Sequence, residues 1–169
     1  MPISPEILER RRLKREAAAQ KLTEKSAWEE KYLEKLKTVH KRNVAVKAKR
    51  LLKRTTTVLT GMTARSKKQE VECSITLEDI RELAYEAYGT HCRYSGRLLT
   101  IDNMVFDHIV PISRGGASSR ENIQVISKFS NNMKGSLDEE NFLILLAWLK
   151  TVPEELAKDI SIRLAKGIH

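Results

Sequence analysis

The chain has 169 residues, 41% of them hydrophobic, and a formal net charge of +9. It is long enough for one compact domain with an extension and too short for two ordinary domains. The absence of a run of about 18 apolar residues and of an apolar signal segment argues against membrane contact, and predicts a soluble, intracellular protein of the cytoplasm. The two cysteines, Cys73 and Cys92, fit a reducing compartment better than a disulfide scaffold.

Positive charge is concentrated in the N-terminal part. Residues 1–72 hold 20 Lys and Arg against 9 Asp and Glu, a net charge of +11, whereas residues 73–169 hold 11 against 13, a net charge of −2. This asymmetry predicts a basic arm, residues 1–72, that binds a polyanion, beside a nearly neutral domain, residues 73–169. Nucleic acid is the natural candidate, and double-stranded DNA is the partner we expect.

The basic arm is expected to be helical. Residues 6–54 lack Pro and Gly and are rich in Lys, Arg, Glu, Leu and Ala, which predicts one or two long helices. Their apolar stripe is narrow, with Trp28, Tyr32, Leu36 and Val39 at helical spacing. Such a narrow stripe suits a helix that lies on the domain, on a partner or on DNA. It also leaves open a homodimer through the N-terminal helices.

Residues 35–69 contain no acidic residue, which is typical of a segment that follows nucleic-acid phosphates. The alternative is a solvated helix face with a flexible linker through residues 55–61. The side chains predicted to contact DNA come from this stretch and from one later loop: Lys41, Arg42, Lys47, Lys49, Arg50, Lys53, Arg54 and Arg114.

The compact domain is expected to begin with a capped helix followed by short strands. Thr76 and Asp79 are suited to cap a helix whose apolar residues recur at spacings of three and four. Residues 98–101 and 105–110 are predicted as two short strands joined by a turn, because β-branched and apolar residues flank an Asp-Asn pair. Residues 123–126 are predicted as a third extended segment.

The C-terminal part of the domain, residues 138–166, is predicted to consist of supporting helices. Ser136 with Glu139 is similar to a capping box before residues 142–149, which are apolar on nearly every face. That helix is expected to be the buried centre of the domain. Pro153 opens a final helix. The predicted class is therefore α+β and mostly helical, with a long basic helical N-terminal arm.

A polar constellation follows the second predicted strand. Asp107 and His108 end an apolar run, Asn122 follows 14 residues after the histidine, and Asn131 precedes Lys134 by three residues. Attack of water on a phosphodiester needs a base, a cation and help for the leaving 3′ oxygen. The Asp-His pair can supply a cation ligand and a base if the strand ends or bends there, so that both side chains reach one centre. Taken singly, the histidine suits a hydrogen-bonded interior position, and the asparagines suit turns or caps.

The order and spacing of these residue types resemble the HNH nuclease family, including its small phage-encoded and mobile-element members. The resemblance implies a ββα-metal finger flanked by helices. By position, it implies that Asp107 is a metal ligand, that His108 is the general base, and that Asn122 is the structural asparagine behind that histidine. It further implies that Asn131 is the second metal ligand and that Lys134 approaches the phosphate.

The resemblance covers about residues 92–135 and implies one divalent cation, Mg²⁺ or Mn²⁺. A carboxylate, an amide oxygen and several waters are suitable ligands for such a hard cation. Many family members frame the finger with two Cys-x-x-Cys pairs around a structural zinc. This chain has Cys92 and Ser95 at the first pair and Ser127 and Ser130 at the second, so we expect no structural zinc. Apolar burial by the flanking helices is expected to hold the finger instead.

The sequence therefore predicts a metal-dependent endonuclease that nicks DNA or cuts both strands, with the 5′-phosphate and 3′-hydroxyl products that the family implies. Two alternatives stay open. A non-catalytic DNA-binding protein on the same scaffold would bind DNA regardless of metal or of the change His108→Ala. An RNA-directed or nonspecific nuclease would use the same site, since the sequence shows no reader of bases or of 2′-hydroxyls.

Overall fold

The computed structural model describes residues 5–40 and 43–166. Within these ranges the chain is α+β and mostly helical, as the sequence predicts, with one two-stranded antiparallel sheet. No helix in these ranges is both long and apolar enough to cross a bilayer. In chain order the helices and strands are α1 (Pro5–Val39), α2 (Val44–Lys68), α3 (Leu77–Ala87), β1 (Met104–His108), β2 (Ile123–Ser127), α4 (Lys128–Lys134), α5 (Glu139–Leu149) and α6 (Glu154–Lys166).

The chain forms two compact units, Met1–Leu52 and Lys53–His169. The division falls inside α2 and not at residues 72 and 73, where the change in charge predicts it. The physical reason is apolar burial, because Met62 in the second half of α2 packs in one cluster with residues of α3 and β2. Residues 55–61, the alternative site of a flexible linker, are helical. Net charge follows the exposed side chains and carries no information on which helix faces are buried.

The first unit contains α1 and the start of α2. The predicted stripe on α1 is largely buried: Trp28 is 5% exposed, and Tyr32 and Leu36 are fully buried, whereas Val39 is half-buried. Its charged surface includes an ion pair between Lys49 Nζ and Glu29 Oε1 at 3.8 Å. The stripe is therefore a packing face, as helical spacing predicts.

In the second unit, α3 begins with the predicted capping box. The main-chain N–H of Asp79 donates to Thr76 Oγ1 at 3.1 Å, and the N–H of Thr76 donates to Asp79 Oδ2 at 2.8 Å. Ile80 and Leu83 on α3 are buried in the cluster that holds Met62 and Ile123. This cluster fixes β2 relative to the second half of α2.

The two strands pair in antiparallel register, with Asp107 opposite Gln124 and His108 opposite Ile123. The prediction of a strand at residues 98–101 is wrong. Asn103 Oδ1 accepts the main-chain N–H of Thr100 at 2.8 Å, and Asn103 Nδ2 donates to the carbonyl of Leu98 at 2.8 Å, so the side chain folds the segment into a turn.

The C-terminal helices enclose a second apolar cluster, centred on Met133, Phe142 and Leu149. The start of α5 differs from the prediction, because Asp138 is its N-cap and accepts the N–H of Asn141 at 2.9 Å. The prediction that α5 is the buried centre is also wrong. Its outer face is exposed, with side-chain exposure of 46% at Leu143, 61% at Ile144 and 49% at Trp148. A domain with a two-stranded sheet is too small to cover both faces of this helix.

Candidate active site

Asp107 lies near the end of β1 and faces α4. Lys134 Nζ and Gln124 Nε2 both donate to Asp107 Oδ2, each at 3.1 Å. Lys134 also donates to the main-chain carbonyl of His108 at 2.7 Å. The β1–β2–α4 unit thus brings together a carboxylate, an ammonium and the main chain of the candidate base.

The Lys134 ammonium is fully buried and contacts Asp107 and the main-chain carbonyl of His108. Its approach to a phosphate stays a prediction. Burial raises the pKa of Asp107 above its usual range, and the neighbouring ammonium with the amide of Gln124 offsets only part of that effect. A carboxylate removed from water needs a countercharge, and in this structure Lys134 supplies it.

The His108 side chain, by contrast, contacts the loop after β1. It is 8% exposed, and its Nε2 lies 2.8 Å from Ser118 Oγ. Ser118 Oγ in turn lies 2.7 Å from Ser66 Oγ on α2. Burial, followed by the positive charges of Arg65 and Lys134, lowers the pKa of His108 to about 4. The imidazole is therefore neutral at pH 7 and able to accept a proton.

The lowered pKa of His108 predicts a specific pH dependence of stability. An unfolded histidine titrates near 6.5 and the folded one near 4, so the unfolded chain binds more protons between these values. The contribution of His108 is complete above pH 6.5 and is lost as the pH falls towards 4. We expect the free energy of unfolding, measured by urea denaturation between pH 4 and 7.5, to fall with acidification more steeply in the wild type than in His108→Gln. Equal pH slopes would contradict this prediction.

Asn122 holds the loop behind His108. Its Oδ1 accepts the N–H of Val110 at 2.9 Å, and its Nδ2 donates to the carbonyls of Val110 at 3.0 Å and Ala117 at 2.7 Å. Gly116 is needed for this close approach, because a Cβ there would lie 1.9 Å from the carbonyl oxygen of Val110. These bonds take the main chain of Val110 away from the sheet and end β1 at the histidine.

Asn131 lies on α4, one helical turn before Lys134 and on the same face. Asn132, its neighbour, donates instead to the carbonyl of Ala165 at 2.8 Å and so faces α6. Residues 5–40 and 43–166 contain no group of three or more His, Cys, Asp or Glu side chains that could bind a metal. The available donors, one carboxylate and one amide, fit a hard cation that keeps several waters.

The described basic side chains of the first unit are exposed or half-exposed. Lys47 Nζ is 2.9 Å from His40 Nδ1, and the Lys49 ammonium is paired with Glu29. Arg50 is exposed. Two residues predicted to bind DNA, Lys41 and Arg42, lie outside the described residues. Lys47, Lys49 and Arg50 stay predictions as phosphate contacts, and the 71% exposure of the Lys49 side chain is compatible with that role.

In the second unit, three residues are predicted to bind DNA, and their surroundings differ. Lys53 is exposed, whereas the Arg54 guanidinium donates to the main-chain carbonyls of Ile101 and Met104. Arg54 therefore secures the turn before β1, and its contact with DNA stays a prediction. Arg114 Nη1 is paired with Asp138 Oδ2 at 2.8 Å, with 45% of its side chain exposed.

Four residues that contact or influence the site were not among the predicted site residues. Gln124 is opposite Asp107 in the strand register, so correct pairing of the two strands would have identified it. Ser118 contacts the His108 ring, and Arg65, exposed on α2, contributes positive charge to it. Long sequence separation hides the contact of Ser66 with Ser118, and no local pattern signals it.

The four positions at which the family carries zinc ligands form a hydrogen-bonded cluster. Ser95 Oγ and Ser127 Oγ are 3.0 Å apart, as are Ser127 Oγ and Ser130 Oγ, and Cys92 Sγ is 3.4 Å from Ser130 Oγ. The main-chain N–H of Ser127 donates to Cys92 Sγ at 3.3 Å. Burial by itself raises the pKa of Cys92, but hydrogen bonds from Ser130, Ser95 and Ser127 outweigh it and lower the pKa to about 6.

No protein-family model matches this sequence, and none of the curated proteins is significantly similar to it.

Proposed function

We propose that this chain is a metal-dependent HNH-type endonuclease that hydrolyses DNA phosphodiester bonds. The observation that supports the proposal most directly is the position of His108, which is buried at the end of β1, contacts Ser118 and is next in sequence to the carboxylate of Asp107. The β1–β2–α4 arrangement, with a loop held by Asn122, is compatible with a ββα-metal finger.

In the proposed reaction, His108 is the general base. Its Nε2 is occupied by Ser118, and its Nδ1 makes no hydrogen bond to a described residue. Nδ1 takes a proton from water while the water oxygen bonds to phosphorus. The bond between phosphorus and the 3′ oxygen breaks, the 3′ oxygen takes a proton from solvent, and the products are a 5′-phosphate and a 3′-hydroxyl.

A divalent cation such as Mg²⁺ or Mn²⁺, bound by Asp107 and Asn131, would neutralise the negative charge that develops on the phosphate. Lys134 and Gln124 both contact Oδ2 of Asp107, which makes Oδ1 the better-placed oxygen for a cation. The Lys134 ammonium, paired with Oδ2, would add a second positive charge beside such a cation.

Exposed basic side chains are proposed to supply the affinity for DNA. Lys49 and Lys53 are exposed, and Arg65 lies on the surface with its charge felt at His108. Contacts of this kind bind phosphates without reading bases, so binding should weaken steeply as salt concentration rises.

One observation favours the second candidate, a non-catalytic DNA-binding protein. The buried ammonium of Lys134 already neutralises Asp107, as a cation would, and a scaffold that does not bind metal would retain such a pair. Cleavage assays separate the two candidates.

The deciding experiment is incubation of the full chain with supercoiled plasmid and genomic DNA at low salt, with EDTA, Mg²⁺ or Mn²⁺. We expect metal-dependent nicking or linearisation, and a rate about 10²–10⁴-fold lower in His108→Ala because the general base is lost. Asn131→Ala should require more metal for the same rate. His91→Ala, at an exposed histidine, is the matched control and should cut like the wild type. DNA that shifts on a gel but stays uncut with both metals would establish the non-catalytic candidate, and parallel RNA substrates test the choice of nucleic acid.

A further inference from the structure

The outer face of α5 is an exposed apolar surface. Leu143, Ile144 and Trp148 are 46%, 61% and 49% exposed, and Ala147 beside them is exposed as well. Spacings of three and four residues place these side chains next to one another on successive helical turns. We call the surface that these four residues form the α5 face. A contiguous exposed apolar surface on a small domain is typical of a site that another molecule covers.

The two ends of the α5 face carry opposite charges. Glu140 is exposed in the first turn of α5, and Lys150 is exposed at the C-cap of the same helix. If a second copy lies across this face in the antiparallel direction, Glu140 of each copy reaches the end that carries Lys150 in the other. A parallel arrangement brings like charges together instead, which is unfavourable. The charges of the α5 face are therefore complementary to those of an antiparallel second copy.

We propose that the α5 face binds the α5 face of a second copy of this chain, in a two-fold symmetric, antiparallel homodimer. Helical spacing then places Leu143 opposite the partner's Ala147, and Ile144 opposite the partner's Trp148, with each contact made twice. The small side chain of Ala147 lets the two helices approach closely, because the distance between packed helices depends on the side chains at the contact. Tryptophan is among the residue types that contribute most to binding at such interfaces.

The size of the α5 face indicates a weak, reversible dimer. Its three large residues are about half exposed and present roughly 300 Å² per copy, if a fully exposed side chain offers about 200 Å². Two copies therefore bury roughly 600 Å² at the apolar centre. Exposed polar residues at the edge extend the contact towards the roughly 1,000–1,200 Å² of the smallest specific interfaces, which are typical of weak complexes. These edge residues are Glu140, Asn141, Lys150 and Thr151.

Two further features of the chain favour this location for a homodimer. The apolar stripe on α1, for which the sequence leaves open a homodimer, is not available to a partner, because Tyr32 and Leu36 are fully buried. The α5 face lies in residues 73–169, which hold 11 Lys and Arg against 13 Asp and Glu. Two copies that meet through this nearly neutral part experience less repulsion than two that meet through the basic residues 1–72.

The test is sedimentation equilibrium of the full chain in about 0.15 M salt, at concentrations from about 1 to about 200 μM, which cover the affinities of weak complexes. We expect a reversible equilibrium between monomer and dimer. Ile144→Glu, which places a carboxylate against the partner's Trp148, should raise the Kd of the dimer at least about 30-fold, the size of a hot-spot effect. Leu22→Glu, at a 68% exposed leucine of α1, is the matched control and should leave the Kd unchanged.

An exchange of charges makes the test specific to antiparallel packing. Glu140→Lys and Lys150→Glu, each alone, place like charges at both ends of the dimer and should raise the Kd by about 3–10-fold. The double variant restores both pairs in the exchanged order and should recover most of the affinity. That recovery cannot come from the helix itself, because both changes are unfavourable for the dipole of α5. The charge variants also keep the test decisive if Ile144→Glu does not fold.

Three results would overturn the inference. They are a chain that is monomeric at every concentration, a dimer that dissociates in Leu22→Glu but not in Ile144→Glu, and a double charge variant that does not recover affinity. The dimer does not depend on the proposed nuclease activity. His108→Ala should associate like the wild type, so a failure to cleave DNA and a failure to associate are separate results.

Discussion

Replacing Lys134 by methionine will lower the free energy of unfolding by about 3–5 kcal/mol, the usual effect of removing one partner from a buried ion pair. The side chain of Lys134 is 0% exposed and that of Asp107 is 12% exposed, so water cannot compensate for the lost ammonium. The variant also loses the bond to the His108 carbonyl. Denaturation with urea or guanidinium, monitored by circular dichroism, measures the change.

Two further variants make the result specific to the pair. Lys128→Met, at an exposed lysine of the same helix, should change stability by no more than about 0.5 kcal/mol. Asp107→Leu combined with Lys134→Met should recover most of the loss, because no unpaired charge stays buried. A loss below about 1 kcal/mol in Lys134→Met would show that the pair is solvated in solution and contradict the burial argument.

Replacing Ser95, Ser127 and Ser130 together by cysteine will create a tetrahedral Zn²⁺ site with Cys92. The four side chains already lie 3.0–3.4 Å from their neighbours in the cluster. Sulfur atoms of a tetrahedral zinc site lie roughly 3.8 Å apart, given zinc–sulfur bonds of about 2.3 Å. The main-chain N–H of Ser127 already donates to Cys92 Sγ and is independent of the replaced side chains, so it would favour the thiolate form that binds zinc.

The triple variant should bind one zinc per chain and gain about 4 kcal/mol of stability when free zinc is about 1,000 times its Kd. Metal analysis after dialysis and thermal denaturation with and without EDTA measure both effects. The wild type, with one thiol at these positions, should gain nothing from zinc. A triple variant that fails to retain zinc would mean that the cluster is not tetrahedral in solution.

Local sequence signals predicted much of the fold correctly. The capping box at Thr76, the extended segment from residue 123 and the last helix after Pro153 all occur in the structure. These features depend on contacts within a few residues, and such contacts are visible in a single sequence. The strand predicted at residues 98–101 failed for a related reason, since the Asn103 side chain offered the backbone a stronger local alternative than sheet pairing.

Predictions of burial and of side-chain partners were less successful. The apolar content of α5 correctly identified a helix. It did not indicate which face of the helix is buried, because the neighbouring elements decide that. Ile144 and Trp148 are exposed. For the site, the spacing of Asp107, His108 and Asn122 identified residues that lie on one strand and loop. It did not indicate that Lys134 is buried against the carboxylate.

The sequence by itself determined the α+β, mostly helical class, the asymmetry of charge, the positions of the main helices and the extended segments that became β1 and β2, but not their pairing, because periodicity, capping and composition act over short stretches of chain. Only the tertiary structure decided which polar groups satisfy one another. Arg54 binds carbonyls 47 and 50 residues away, and Ser66 meets Ser118 across 52 residues. Such partners are selected by the need to satisfy every polar group removed from water, and that need arises only once packing has decided which groups are buried.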